Sequence, residues 1–400
     1  MKYDFQTAPD RSNCGAAKWM QMKRFNPNVE EGIIPFSVAD MELKNPPELI
    51  EDLKQYLDGG VLGYTLPTKS YFDAVCGWME RRHEWKIRPE WILQWPGIVP
   101  ALYDLVRMLT EAGDNVVIMT PVYYPFYEAV QNGKRNLLES PLKCENGHYS
   151  IDFADLEAKV KLPKTKLLIL CNPHNPVGRS WTKEELEQIG TLCAENQVLV
   201  ISDEIHFDLM MPGYKHTVFA SVSEECRQNC IICTAPSKTF HVAGLQISNI
   251  IIPNQELCEK VRALHKQEGF FSLNSLAYRA CETLYGKCEG WLEELLRLIA
   301  HNRDAVSDFL HKRIPEIIPY EMEATYLLWL DCRKLGMAPK ELETFMHEKA
   351  QLFLDEGYLF GKAGEGFERL NLACPTIKLL EAMERLEKAL QNLGIFGIFS

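Results

Sequence analysis

Three polar residues of different chemistry each lie past an apolar run of the kind that forms a buried strand. Asn175 comes after the first run, and Asp203 and Lys238 come after the next two. In open α/β sheets the carboxyl ends of parallel strands meet at one edge, where ligands bind. The sequence therefore predicts that an amide, a carboxylate and an amine lie together in one site.

These three groups are the ones that pyridoxal 5′-phosphate (PLP) requires of a protein. The amine of Lys238 would form a covalent bond with the cofactor aldehyde. The carboxylate of Asp203 would pair with the protonated ring nitrogen and keep the ring electron-withdrawing. Asn175 would donate to the ring oxygen beside the aldehyde. Each residue alone has an ordinary explanation as a cap, a turn or a surface charge, but their order favours a PLP site.

The phosphate and the ring of such a cofactor need two further features. Gly97, Ile98 and Val99 open a predicted helix, and backbone amides at a helix N-terminus bind phosphate. Tyr123 is predicted to stack on the ring, although a lone tyrosine is more often a packing residue. Gly97 alone would be a plain turn.

Metal chemistry is not predicted, because the candidate ligands lack partners. His206 lies close to Asp203, but no second histidine follows at helical spacing, so we expect it to support the cofactor site. Cys230 and Cys233 have a CxxC spacing inside a predicted strand, whose alternation points their sulfurs to opposite faces. Buried structural cysteines are therefore expected rather than a zinc or redox site.

The elements that must position these residues alternate between apolar strands and amphipathic helices. A helix is predicted over 182–195, with Thr182 as its N-cap and two glutamates near its positive end. The repeated alternation predicts an α/β fold with a mostly parallel sheet flanked by helices. The predicted strands span 115–119, 166–171, 198–202, 231–234 and 248–252.

The length of 400 residues suits two domains. We predict a large PLP-binding domain over 46–288 and a smaller α/β domain formed by 1–45 and 289–400. A long helix predicted over 289–313, with a broad apolar face, would link the two.

The composition excludes several kinds of partner. A formal net charge of −12 argues against non-specific binding to nucleic acid or acidic membranes. No apolar run approaches the length of a membrane span, and the first residues lack the apolar core of a signal peptide. The 13 cysteines, an odd number without a secretion signal, predict reduced thiols in a cytoplasmic protein.

The motifs together resemble fold-type I PLP enzymes of the class I/II aminotransferase superfamily. Asn175, Asp203 and Lys238 carry the resemblance to the superfamily. The segments Ser-Asp-Glu-Ile-His and Val-Ala-Asp-Met favour its cystathionine β-lyase-like (bifunctional C–S lyase) branch. The resembling segments are 38–41, 63–65, 96–100, 120–123, 171–178, 202–206, 237–240 and 369–371.

The resemblance implies roles for four residues. Lys238 would hold the cofactor and carry a proton during the reaction. Arg369 would clamp the substrate carboxylate, and the backbone of Ala39 would lie beside that carboxylate. Tyr64 would reach the active site of a neighbouring subunit, which implies a homodimer with shared sites.

The phosphate cradle departs from the pattern of many relatives. They carry a hydroxyl residue and an arginine where this chain has Ala235 and Gln246. Thr234 and Ser237 are predicted to supply hydroxyls instead. A second arginine for a dicarboxylate side chain is not evident, which weakens an aspartate aminotransferase interpretation.

The resemblance implies a PLP-dependent C–S β-lyase that converts cystathionine or related cysteine S-conjugates to a thiol, pyruvate and ammonia. The same residues would serve an aminotransferase acting on an L-amino acid and a 2-oxo acid. A third alternative is a regulator that binds another protein on a PLP fold. The sequence leaves the physiological substrate and any regulatory partner open.

Overall fold

Two sheets organise the chain, which a computed structural model describes over residues 2–394. Met1 and 395–400, both assigned to the predicted small domain, lie outside the described residues. The helices are α1 (Ala17–Phe25), α2 (Pro47–Gly59), α3 (Lys69–His83), α4 (Ile98–Leu109), α5 (Pro125–Asn132), α6 (Phe153–Val160), α7 (Lys183–Glu195), α8 (Glu224–Gln228), α9 (Pro236–Thr239), α10 (Gln255–Gln267), α11 (Ser275–Lys287), α12 (Glu289–Arg313), α13 (Pro339–Thr344) and α14 (Thr376–Asn392). The strands are β1 (Ile92–Trp95), β2 (Asn115–Thr120), β3 (Asn136–Pro141), β4 (Lys143–Glu145), β5 (His148–Ser150), β6 (Thr165–Cys171), β7 (Leu199–Asp203), β8 (Cys230–Thr234), β9 (Ser248–Ile251), β10 (Ile318–Pro319), β11 (Leu327–Asp331), β12 (Asp355–Glu356) and β13 (Phe367–Asn371).

The larger sheet has seven strands in the order β1-β9-β8-β7-β6-β2-β3. Neighbours from β8 to β3 run parallel, as the alternating pattern predicts. Strand β9 runs antiparallel to both β8 and β1. The connection from β8 to β9 contains only the short helix α9 and a tight turn, so the chain returns in the opposite direction.

The register of the central strands places the predicted site residues at one level. Cys171 pairs with Asp203, and Asp203 pairs in turn with Cys233. The amide of Asn172 donates to the Asp203 carbonyl at 2.9 Å, and the amide of Glu204 donates to the Cys233 carbonyl at 2.9 Å. The pairing therefore places the carboxyl ends of β6, β7 and β8 side by side.

Strand alternation separates two apolar layers, one on each face of the larger sheet. Cys230 packs in one layer and Cys233 in the other, which confirms the predicted orientation of their sulfurs. All 13 cysteines, which lie within the described residues, are free. The one-residue shifts between predicted and observed strand ends leave this alternation unchanged.

The two long predicted helices are present. Helix α7 begins after Thr182, whose hydroxyl accepts from the Glu185 amide at 3.2 Å, while the Glu185 carboxylate accepts from the Thr182 amide at 2.8 Å. This reciprocal capping box satisfies two backbone donors at the helix start. Helix α12 has the predicted bounds, Glu289–Arg313.

The smaller sheet has the order β10-β11-β13-β12 and is antiparallel throughout. Its last pair aligns Asp355 of β12 with Arg369 of β13. The N-terminal segment joins this sheet through Phe36, whose amide donates to Phe353 at 2.8 Å and whose carbonyl accepts from Asn371 at 3.0 Å. That segment carries Ala39 to the boundary between the two sheets.

Within residues 2–394, none of the helices combines the length and the apolar character that crossing a membrane requires.

The contact between α7 and α8 gives a test of the packing. A Cβ added to buried Gly190 would lie 2.1 Å from the sulfur of Cys226. Gly190→Ala should therefore destabilise the protein by about 1–3 kcal/mol, since overpacking outweighs the gain in helix propensity. Gly77→Ala in α3 is the matched control, because its added Cβ would meet only Arg81 at 3.7 Å. It should be neutral or stabilise by up to about 1 kcal/mol. Equal thermal midpoints for both variants would contradict this packing.

Candidate active site

One cavity opens where the carboxyl ends of the central strands meet the smaller sheet. It brings together most of the residues predicted from the sequence. Those that line it are Ala39, Gly97, Ile98, Val99, Tyr123, Asn175, Asp203, His206, Ser237, Lys238 and Arg369.

Asp203 presents a buried carboxylate to this cavity and is only 4% exposed. Its Oδ1 accepts from the Ile205 amide at 3.1 Å, which is the only side-chain hydrogen bond that Asp203 makes within the described residues. Burial raises the pKa of Asp203 to about 7; the Ile205 hydrogen bond and Lys238 oppose the rise, and the Glu204 charge adds to it. A cation in the cavity would compensate this carboxylate.

Lys238 lies on α9, directly after β8, and its Nζ donates to the Ala39 carbonyl at 2.7 Å. Burial lowers the pKa of its amine to about 8. About a tenth of the amine is then neutral at pH 7, compared with less than a thousandth for an ordinary lysine. The lowered pKa of Lys238 suits a nucleophile or a proton carrier.

Arg369 lies opposite the sheet edge and is held from two sides. Its Nη1 donates to Asn175 Oδ1 at 2.7 Å, and its Nε donates to Asp355 Oδ2 at 3.2 Å. Because the oxygen of Asn175 is occupied, its amide nitrogen is the group left to donate into the cavity. The side chain of Arg369 is buried and faces the cavity, so it suits a carboxylate ligand.

The start of α4 forms one end of the cavity. Gly97 has φ +147°, a backbone conformation that glycine tolerates, and no side chain among the described residues caps the helix. Pro100 has no N–H, so Ile98 and Val99 supply the first free backbone amides. Ser237 and Gln246 also line the cavity, whereas Ala235 does not.

Two aromatic side chains complete the walls. Tyr123 lines the cavity, and burial raises the pKa of its phenol, which therefore stays protonated. His206 is buried, and its Nδ1 makes no hydrogen bond with residues 2–394. Burial together with the charges of Lys238 and Arg369 lowers its pKa well below its ordinary value. His206 is therefore a neutral ring.

Two predicted site residues lie outside the cavity lining. Thr234 is buried, and its hydroxyl donates to the Asn249 carbonyl at 3.3 Å, so Ser237 is the hydroxyl that faces the cavity. Tyr64 is 97% exposed and contacts Phe271 edge-on, with 5.9 Å between ring centres. The roles of both residues in the site stay predictions.

Sequence reasoning missed two residues that shape the site. Asp355 supports Arg369 and follows the apolar run 352–354, so the criterion that found Asp203 would have found it as well. Tyr326 donates to the Ala39 carbonyl at 3.0 Å, but it lies within an apolar stretch that gives no signal for a polar role.

The residues present fit PLP. The under-satisfied carboxylate of Asp203 suits a cationic ring nitrogen, and the amine of Lys238 suits an aldehyde. The uncapped start of α4 suits a phosphate. The ring nitrogen, the aldehyde and the phosphate are the three polar ends of the cofactor.

Two groups of histidine and acidic side chains lie away from this cavity among the described residues. They are His148, Glu321 and Glu323, and Glu343, His347 and Glu356. Arg179 pairs with Glu323 at 3.0 Å, and Lys340 pairs with Glu343 at 2.6 Å. A protein cation thus already compensates one carboxylate in each group.

Comparisons with known proteins agree with this geometry. The family model for aminotransferase class I and II matches residues 31–386. Cystathionine beta-lyase PatB of Bacillus subtilis is 45% identical over 357 residues, covering 89% of this chain and 92% of PatB.

Solved structures extend the similarity to the whole fold. Cystalysin from Treponema denticola, whose crystal contains PLP, superimposes with a TM-score of 0.97 at 48% identity, covering 98% of this chain and 100% of cystalysin. The PLP-bound C–S lyase from Staphylococcus hominis, solved with the inhibitor L-cycloserine, gives a TM-score of 0.91 at 31% identity, with 98% of each chain covered.

The predicted fold-type I architecture is thereby confirmed. Since the family model covers most of the chain and PatB is similar along nearly its full length, the chain belongs to the aminotransferase class I and II family, in its cystathionine β-lyase-like branch.

Proposed function

We propose that the protein is a PLP-dependent C–S β-lyase that converts cystathionine or a related cysteine S-conjugate to a thiol, pyruvate and ammonia. The observation that carries the proposal is one cavity lined by the Lys238 amine, the Asp203 carboxylate and the Arg369 guanidinium. The similarity to PatB and to PLP-containing cystalysin supports both the reaction and the cofactor.

When bound, PLP supplies an electron-withdrawing ring that stabilises negative charge at the substrate α-carbon. Asp203 would hold the proton on the ring nitrogen, because a buried carboxylate favours a cationic partner. Arg369 binds the substrate carboxylate through two parallel N–H groups and so orients the substrate. Asn175, fixed by its bond to Arg369, would donate to the ring oxygen through its amide nitrogen.

Lys238 is the residue that moves the proton. Its pKa of about 8 leaves a useful fraction of neutral amine near pH 7, so it accepts the α-proton. Departure of the β-sulfur as thiolate then leaves a three-carbon product that hydrolyses to pyruvate and ammonia.

We also propose that the protein is a cytoplasmic homodimer in which Tyr64 completes the neighbouring site. Tyr64 contacts Phe271 and is within three residues of other exposed apolar side chains, and an exposed apolar patch suits a covered subunit interface. The patch comprises Val61, Leu62, Tyr64, Leu66 and Phe271. The free cysteines suit a compartment that keeps thiols reduced.

The domain division of 46–288 against 1–45 with 289–400 stays part of the proposal. In support, the seven-stranded sheet is built from residues within 92–251, and the four-stranded sheet from residues within 318–371.

Product analysis tests the reaction. The PLP-loaded protein should release pyruvate and homocysteine in equal amounts from cystathionine without any 2-oxo acid. Lys238→Ala, matched in fold but lacking the amine, should release neither above background. Amino-group transfer that requires an added 2-oxo acid, without thiol release, would instead establish the aminotransferase alternative.

Subunit mixing tests the role of Tyr64. Lys238→Ala and Tyr64→Ala proteins should each be impaired, yet their mixture should recover about a quarter of wild-type activity, since half of a random mixture is heterodimer and each heterodimer has one intact site. Tyr214→Ala, which changes a tyrosine outside the patch, should keep full activity. Mass spectrometry of the mixture should verify that subunits exchange. No recovery despite exchange would reject the shared site.

A further inference from the structure

The turn that carries Ala39 has a strained backbone. Val38 has φ +57°, in the left-handed region that a β-branched residue disfavours. The Asp40 amide donates to the Val38 carbonyl at 2.9 Å and closes a three-residue turn around Ala39. Such a conformation persists only where surrounding contacts hold it.

The smaller sheet holds one side of this turn. The Val38 amide donates to Asp355 Oδ2 at 2.8 Å. Asn371 Nδ2 donates to the Val38 carbonyl at 2.8 Å and to the Asp40 carbonyl at 2.9 Å. The turn is therefore fixed by the two strands that also carry Arg369 and its partner.

The carbonyl of Ala39 points at the amine of Lys238. It accepts from Lys238 Nζ at 2.7 Å and from the Tyr326 hydroxyl at 3.0 Å. This carbonyl is the hydrogen-bond acceptor for the Lys238 amine when the amine is free.

The other side of the turn is tied to the segment that carries Lys238. Asp40 Oδ1 forms a hydrogen bond with His241 Nε2, and Asp40 Oδ2 accepts from Arg11 Nη2 at 3.0 Å. His241 also contacts the Leu43 carbonyl through Nδ1 at 3.3 Å. Both ring nitrogens of His241 thus face acceptors on the N-terminal segment.

His241 and Lys238 belong to one compact turn. The Val242 amide donates to the Ser237 carbonyl at 3.0 Å and encloses both residues. Asn45 Nδ2 donates to the His241 carbonyl at 2.7 Å and fixes the end of that turn. A displacement of His241 would consequently displace Lys238.

We propose that Asp40 and His241 are a positioning pair for Lys238. They tie the turn that carries the amine to the turn that carries the Ala39 carbonyl, and that carbonyl holds the free amine while it carries the substrate proton. The catalytic part of this inference rests on the proposed function.

Because Asp40 is charged, the pair affects the pKa of Lys238 as well as its position. Burial by itself raises the pKa of Asp40, but hydrogen bonds from His241 and Arg11 hold it below its ordinary value, so Asp40 is an anion. Burial lowers the pKa of Lys238 to about 8, and the negative charge of Asp40 opposes this lowering. The charged and titratable groups that face Lys238 are Asp40, Asp203, Asp355, Arg369 and His206. Removal of the Asp40 charge should therefore lower the pKa of Lys238.

Competitive acetylation of the cofactor-free protein tests the pair without reference to any reaction. Labelling of Lys238, followed by peptide mass spectrometry from pH 6 to 10, should be half-maximal near pH 8 in the wild type. In Asp40→Asn the profile should move to lower pH and give about threefold more labelling at pH 7, equivalent to half a pKa unit. Asp4→Asn, which breaks the exposed pair with Lys44, should leave the profile unchanged. Coinciding profiles for wild type and Asp40→Asn would overturn the proposal.

Steady-state kinetics of the PLP-loaded protein tests positioning. His241→Leu should lower kcat on cystathionine about tenfold with KM within about twofold, since proton transfer depends on the amine while the carboxylate clamp is intact. His241→Gln, whose side-chain amide keeps an N–H donor for Asp40, should restore most of kcat. A raised KM with unchanged kcat, or no rescue by His241→Gln, would overturn positioning. Should the wild type release no pyruvate, the proposed function fails, while the labelling profile still decides the link between Asp40 and Lys238.

Discussion

The carboxylate of Asp203 is buried at the end of β7, where it accepts a single hydrogen bond from the part of the chain that the structure describes. An ionised carboxylate in such a place is costly unless a cation or further donors accompany it. Burial raises its pKa to about 7, so the group is balanced between its neutral and charged forms. A cofactor with a cationic ring nitrogen would complete this site, and the other polar groups of the cavity lie around Asp203.

Each part of the chain contributes a different group to the cavity. The parallel strands contribute Asn175, Asp203 and Lys238 at a common edge, because register fixes their ends. The smaller sheet contributes Arg369 with its partner Asp355. The N-terminal segment crosses between them and presents a carbonyl rather than a side chain. The Lys238 amine, the Asp203 carboxylate and the Arg369 guanidinium therefore lie on separate elements, and the packing of those elements sets the geometry of the site.

Much of this arrangement follows from local sequence patterns. Apolar runs that end in polar residues predicted the parallel strands and the meeting of Asn175, Asp203 and Lys238. Strand alternation predicted the separation of Cys230 and Cys233. The family and its fold, inferred from the motifs, are confirmed by the matching family model and the similar structures.

Features that depend on contacts between distant segments were not predictable in this way. The antiparallel return of β9 depends on a short connection whose direction no periodicity reveals. The hydroxyl of Thr234 is directed to Asn249 by the neighbouring strand, so proximity in sequence to Lys238 did not place it in the cavity. The support of Ala39 by Tyr326 joins residues far apart in the chain. The roles assigned to individual site residues, including Tyr64, stay predictions.

The most direct test of the pairing between Asp203 and the cofactor uses the variant Asp203→Asn. NMR measures how fast this variant exchanges the substrate α-proton with deuterium from the solvent. The variant is isosteric, so it should fold and still bind PLP, while exchange should slow by at least about a hundredfold because the ring nitrogen loses its charged partner. Asp308→Asn, which breaks an exposed pair with Lys312, should exchange at the wild-type rate. Near-normal exchange in Asp203→Asn with full cofactor content would contradict the assignment of Asp203 as the partner of the ring nitrogen.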